Sequence, residues 1–181
     1  MNNLGTVLLD IDDILRAKVL FERALTGREK ILGYNHPETL NTVCNVGNIL
    51  YLVGDFNGAK IFFERVFHGR EKILGADHPD TLTASFNLGT LYDSLGDMHL
   101  AKTLIERSFK GRKNLLGGEH PHTLISMGML ALVLEKLGLW NEAKPLLKEC
   151  VDGLEKINGR QHPQTLNILN SLMTISRKHG E

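Results

Sequence analysis

Four histidines, His36, His78, His120 and His162, stand 42 residues apart, opening the strings HPETL, HPDTL, HPHTL and HPQTL. Imidazoles at a regular interval suggest metal chemistry first, because neutral histidine nitrogens are ligands for zinc and related cations. The interval argues against it. If each unit is one layer of stacked helices, successive histidines lie roughly 10 Å apart and cannot converge on one ion. The other histidines, His68, His99, His122 and His179, show no HExxH spacing. No metal and no cofactor is expected, and the proline after each histidine points to a different role.

Other reactive patterns are missing too. The chain contains no GxxxxGK[ST], no GxSxG and no GxGxxG, so neither a phosphate cradle nor a nucleophile elbow is written into it. Its carboxylates sit along helical stretches beside basic residues, as in Lys60 with Glu64 and Lys102 with Glu106, the pattern of solvated faces. No catalytic constellation is legible and the expectation is a chain that is not an enzyme. The 21 lysines and arginines balance the 21 aspartates and glutamates, leaving no net field to draw in a phosphate backbone or an anionic membrane. Nucleic acid and membrane are therefore not expected partners. The longest apolar runs, ILYLV at 49–53 and MLALVL at 129–134, fall far short of a membrane span. The start, with three aspartates in its first 13 residues, does not read as a signal peptide. Cys44 and Cys150 read as two small hydrophobes in a reducing interior, which gives a cytoplasmic expectation.

The 42-residue interval extends well beyond HPxTL. Ala17, Ala59, Ala101 and Ala143 align, as do Lys18, Lys60, Lys102 and Lys144. Gly27, Gly69, Gly111 and Gly153 form another column, followed by Gly33, Gly75, Gly117 and Gly159. Within a unit, Leu40, Val43, Val46, Gly47, Leu50 and Val53 keep the three-and-four spacing of one helix face. After a Gly-Asp break at 54–55, Ala59, Phe62, Phe63, Val66, Ile73 and Leu74 repeat it until Gly75 supplies a stop. Each unit is thus a helix, a tight turn and a longer helix. Each HPxTL proline belongs at a helix start, where its missing N–H is an orphan anyway, and holds the preceding histidine in the extended conformation of an N-cap.

V43-x2-V46-G47-x2-L50 with A59-x3-F63, and L88-G89-x2-Y92 with A101, resemble the tetratricopeptide pattern of glycine, large apolar, alanine and aromatic positions. The unit is roughly eight residues longer than the common repeat of about 34, the excess falling around GREKILGxxHP. It is similar to the 42-residue repeats of kinesin light chains and to repeat arrays at the ends of some NTPase receptors. Kinesin light chains read more like HPxVAxxxNNLAxLY, whereas this chain has HPxTL with CNVGNIL or FNLGTLY, and no heptad-rich segment precedes the repeats, so motor association is not implied.

The resemblance implies an all-α fold, a right-handed superhelical solenoid of antiparallel helix pairs. It would form a single array over 1–181, with repeats at about 1–35 (partial), 36–77, 78–119, 120–161 and a half-repeat capping helix at 162–181, about nine helices in all. Gly5, Gly47 and Gly89, opposite the alanine column, would let the two helices of a pair approach closely, with Ala131 in the fourth copy. The last helix, with Asn167, Asn170, Ser171, Thr174, Arg177 and Lys178 along one side, reads as a solvating cap. Val7, Leu8, Leu9 and Ile11 lack a preceding repeat, so either missing upstream sequence or self-association through the N-terminal end is a further expectation.

In tetratricopeptide proteins the first helices line the concave surface. The resemblance therefore assigns a peptide-binding groove to Asn3, Asn41, Asn45, Asn48, Tyr51, Thr83, Phe86, Asn87, Thr90, Asp93, Ile125, Leu132 and Glu135, with Cys44 among them. Asn3, Asn45 and Asn87 align, and asparagine is a poor mid-helix residue that needs a reason. In related proteins such asparagines hold a ligand's backbone; an inter-repeat hydrogen bond is the alternative. The column continues as Met129 and Ser171. Chaperone-binding relatives clamp a C-terminal carboxylate with lysine, arginine and asparagine, but Thr83, Asn87, Ile125 and Met129 lack the basic members. The expected partner is a protein or an extended peptide with apolar anchors, and the expected function a non-catalytic protein–protein interaction module. The alternative is a sensor or oligomerisation segment of a larger signalling ATPase.

Overall fold

The structure is a computed structural model that describes residues 11–179. Among them are eight helices and no strand: α1 Ile11–Leu32, α2 Pro37–Leu52, α3 Phe56–Leu74, α4 Pro79–Leu95, α5 Met98–Leu116, α6 Pro121–Lys136, α7 Trp140–Asn158 and α8 Pro163–His179. The expected ninth helix, with Asn3, Gly5 and the apolar residues at 7–9, lies outside the described residues. The first helix of each complete pair is the shorter, 16 residues in α2 against 19 in α3.

Helix ends obey a strict interval. Gly33, Gly54, Gly75, Gly96, Gly117, Gly138 and Gly159 all have positive φ, one every 21 residues, so each 42-residue unit is two helix-plus-turn halves of equal length. These are the stops that a residue with a Cβ would occupy only under strain. Helix starts are capped in two ways. His36, His78 and His120 sit in extended backbone, and their Nδ1 atoms accept hydrogen bonds from the N–H groups of Glu38, Asp80 and His122 at 3.2, 3.1 and 3.2 Å. His162 does the same with Gln164 at 3.3 Å. The repeated histidines are therefore helix caps whose ring accepts at Nδ1. At the tight turns the cap is an aspartate: Asp55 accepts from the N–H of Gly58 at 2.9 Å and Asp97 from that of Leu100 at 3.1 Å. The third such position is Leu139, which makes no side-chain cap bond.

The chain divides into two compact units, Met1–Ile73 and Leu74–Glu181. In the first, α1 packs on α2, and α2 meets α3 through Gly47, against which Phe63 and Phe62 press so closely that an added Cβ would lie 2.8 and 3.2 Å from them. In the second, α4 to α8 pack in chain order, with α4 also beside α6 and α6 beside α8. Gly89 receives Ile105 in the same manner, with 2.6 Å to Cγ1. The residues nearest each glycine are those three and four places after the alanine, Phe62 and Phe63 at Gly47 and Leu104 and Ile105 at Gly89.

A second notch couples the two repeated signatures. The leucine of HPxTL sits against the glycine of the following second helix: Leu40 on Gly69, Leu82 on Gly111, Leu124 on Gly153, where a Cβ would fall 2.9, 2.5 and 2.6 Å from leucine carbons. All three leucines are at most 1% exposed, each worth roughly 1.5–3 kcal/mol of burial. On α8 the same face is incompletely covered. Leu166, Leu169 and Leu172 are half-buried and Met173 exposed, although Asn167, Asn170, Thr174 and Arg177 are exposed as a solvating side requires. Lys102, expected to pair with Glu106, instead reaches Glu142 on α7 at 3.2 Å, while Lys110 takes Glu106 at 2.6 Å.

Replacing Leu139 with aspartate restores the cap that the other two tight turns possess. Leu139→Asp is expected to stabilise the chain by about 1 kcal/mol, read as a higher midpoint in urea unfolding at unchanged slope; an unchanged midpoint would contradict the capping assignment.

Candidate functional site

Period 3.6 places the expected groove residues on one face of each first helix. In Met1–Ile73, Asn41, Asn45 and Asn48 are exposed on α2. Asn48 touches Cys44 Sγ at 3.9 Å, and the half-buried Tyr51 ring leans on Phe56 and Phe63, with ring centres 5.3 and 6.5 Å away. In Leu74–Glu181, Thr83, Phe86, Asn87, Thr90 and Asp93 on α4 and Ile125, Leu132 and Glu135 on α6 are all half-buried. The Thr90 hydroxyl is engaged with its own helix, donating to the Phe86 carbonyl at 3.0 Å.

Three of these residues come together. Asp93, Leu132 and Glu135 line a cavity of about 640 Å³ with Met129, Lys136, Trp140, Ser171 and Ile175. Lys136 Nζ bridges both oxygens of Asp93 at 2.6 and 2.8 Å, tying α6 to α4 beside the cavity. The pair is bidentate and the aspartate side chain only 11% exposed, so it is shielded from water more than an ordinary surface pair. Sequence reasoning missed Lys136, Trp140 and Ile175. Lys136 lies 43 residues from Asp93, one step off the repeat, and Trp140 heads α7 at the position of Phe56 and Met98, where it reads as a packing residue.

Asn41 and Thr83 have a different role from open groove residues. Each accepts from a buried arginine of the following second helix: Arg70 to Asn41 Oδ1 at 2.8 Å, Arg112 to Thr83 Oγ1 at 3.2 Å. Arg112 also donates to the His122 carbonyl at 3.2 Å and Ser126 Oγ at 2.7 Å, and stacks near Phe86 at 5.1 Å. Arg28 repeats the forward half on Glu38 O and Thr42 Oγ1, at 3.0 and 2.5 Å. Arg28, Arg70 and Arg112 form one column, and its fourth member is Leu154. There the partners change as well, Thr83 giving way to Ile125 and Ser126 to Ile168. A guanidinium excluded from water needs several acceptors, so the arginine and its acceptors disappear together. Burial lowers the Arg112 pKa from its ordinary value.

Among the described residues no group of three His, Cys, Asp or Glu could hold a metal ion. Burial pushes the Cys150 thiol up to about 12, with Glu149 adding to the rise, so it is a poor nucleophile at neutral pH. The cavity lining combines apolar Met129, Leu132 and Ile175 with charged Asp93, Glu135 and Lys136.

The family model described as Tetratricopeptide repeat matches residues 1–72, 49–114 and 94–156. No curated protein matches the chain. Among solved structures, the chain is similar to a Podosopora anserina protein with nearly identical TPR-like repeats, assigned as a kinesin light chain: 25% identity, 92% of this chain and 79% of that one, TM-score 0.79. It is similar in fold to BtubC (BKLC) of P. vanneervenii, at 19% identity over 93% of this chain and 67% of that one, TM-score 0.72. It is also similar in fold to YrrB, a TPR protein with an unusual peptide-binding site, at 16% identity over 93% and 81%, TM-score 0.54.

Arg112→Ala is expected to cost about 1–3 kcal/mol in urea unfolding, and Arg112→Leu with Thr83→Ile, the pairing of the fourth copy, to recover more than half; a double variant no better than the single one would contradict the coupling. His122 supplies a pH signature. Desolvation, then the charges of Arg112 and His120, hold its pKa below 6.5 in the folded chain, so below that pH the unfolded chain binds more protons and stability falls. The loss of stability as the pH falls below about 6.5 should shrink in His122→Gln, and an identical acid limb in both proteins would contradict it.

Proposed function

The chain belongs to the tetratricopeptide-repeat family, and from that premise we propose that it is a non-catalytic interaction module holding an extended peptide or a partner surface along its first helices. The observation that carries the reading is the half-buried strip on α4, α6 and α8. A residue at partial exposure is packed firmly enough to hold its rotamer and open enough to be touched, the condition for binding without large entropic loss. Apolar Phe86, Ile125, Met129 and Leu132 alternate there with Asn87, Asp93 and Glu135, apolar anchors beside groups for a peptide backbone. Asn87, which keeps other interactions of its own, stands in the middle of that strip and is assigned the ligand's backbone. Within Met1–Ile73, α2 by itself presents exposed Asn41, Asn45 and Asn48, amide groups suited to a peptide backbone, with Asn41 shared between Arg70 and solvent. The expected setting is the cytoplasm, in keeping with two cysteines, Cys44 and Cys150, that form no disulfide.

Members of this family generally act through protein–protein contacts, and YrrB is a peptide binder by its own description. Carried to this chain, that supports a peptide or protein partner and no reaction.

A peptide-display selection against the 181-residue chain, counter-screened with Asn87→Ala plus Leu132→Ser, tests the reading. Enrichment of a shared motif whose affinity drops at least about tenfold, or about 1.4 kcal/mol, in a variant of unchanged helix content is the expected result. No enrichment by a folded protein would overturn it.

A further inference from the structure

The cavity between α4, α6 and α8 has a charge imbalance that says what enters it. Its rim carries two carboxylates, Asp93 and Glu135, and one ammonium, Lys136. Lys136 is committed to both oxygens of Asp93, so Glu135 is left with no ion pair among the described residues. Arg177, which continues the Asp93 and Glu135 column onto α8, is exposed and does not line the cavity. The walls are apolar: Met129, Leu132 and Ile175, with the Trp140 indole 40% exposed beside them. Ser171 adds a hydroxyl.

Resting on the peptide-binding reading, we propose that this cavity takes an arginine side chain of an extended partner segment. Its methylene stem lies along Met129, Leu132 and Ile175, its guanidinium meets Glu135, and one face of the guanidinium plane covers Trp140. Three features choose this occupant. A long side chain with an apolar stem and a cationic end matches a cavity lined by apolar residues and by a carboxylate that has no ion pair among the described residues. Indole is the aromatic ring most favourable to a cation, and a planar guanidinium stacks on it while keeping its in-plane N–H donors for a carboxylate, which an ammonium does not. An acidic segment is excluded by the same arrangement, because it would bring a third negative charge to a site whose single lysine is already engaged. A purely apolar anchor would cover Glu135 without giving it a partner.

Trp140 is the chain's single tryptophan, so its emission reports on this cavity alone. The test titrates the intact protein with four pools of random hexapeptides, fixed at one central position as arginine, lysine, leucine or glutamate. The expected result is a saturable change in Trp140 emission with the arginine pool, at least tenfold tighter than with the leucine or glutamate pools and tighter than with lysine. In Glu135→Gln, which keeps the shape of the side chain, the arginine preference over leucine should fall below threefold. Equal response to arginine and leucine, a preference for glutamate, lysine matching arginine, or a preference intact in Glu135→Gln would each overturn the proposal. If display-selected peptides bind while the pools show no arginine preference, this assignment fails and the interaction reading stands. If neither display nor any pool yields binding by the folded chain, both fail.

Discussion

The interaction on which the rest depends is a leucine seated on a glycine. Leu40, Leu82 and Leu124, one from each HPxTL, occupy notches that exist only because Gly69, Gly111 and Gly153 carry no side chain. The contact joins the start of a first helix to the last part of the helix that follows it. Because a Cβ would fall within 3 Å of leucine carbons, a larger residue at the glycine must displace the buried leucine side chain, and close-packed interiors absorb such changes poorly. The two most regular columns of the sequence are thus two halves of one contact. The Gly47–Phe63 and Gly89–Ile105 notches repeat the device toward the other end of each pair.

With helices held this closely, the polar groups between them must be provided for. The arginine column does so: Arg28 draws a carbonyl and a hydroxyl from the next first helix, Arg70 an amide from the preceding one, and Arg112 a carbonyl and a hydroxyl from the next and a hydroxyl from the preceding one. In the fourth copy the whole set turns apolar, Leu154 with Ile125 and Ile168. Either solution is self-consistent, while a mixture would leave a buried donor unmet. Next to the apolar copy lies the cavity, where Lys136 and Asp93 hold α6 and α4 and where Glu135 keeps its charge unanswered. The nearby turn also lacks the aspartate cap of its two counterparts, with Leu139 in its place and Trp140 following. The most irregular stretch of the repeat thereby borders the proposed ligand site, as expected where function relaxes local consistency.

How much was legible depended on how local the cause was. Helix starts at Pro37, Pro79, Pro121 and Pro163 follow from backbone geometry within a few residues and could be read directly. That the histidine ring itself does the capping needed its χ angles, although the N-cap position was readable. Lys102 misled because an i,i+4 partner was available in its own helix, yet Glu142 on α7 lay within reach across the bundle. Asn41 and Thr83 read as open groove residues because their arginine partners are 29 residues away and nothing local announces them.

By itself the sequence determined what repeats: the helical type of each segment, the turn glycines, the cap positions and the family, since each follows from patterns of a few residues multiplied by the 42-residue period. It also limited the chemistry, carrying no motif for catalysis or phosphate binding. Only the tertiary structure decided which side chains that share a face also share a space. Asp93, Leu132 and Glu135 meet in one cavity with Trp140 and Ser171, while the Thr83 hydroxyl is taken up by Arg112. The physical reason is that a repeat period specifies which positions are equivalent, whereas partnership depends on distances between helices, and those distances are set by the volumes of the residues packed at the notches.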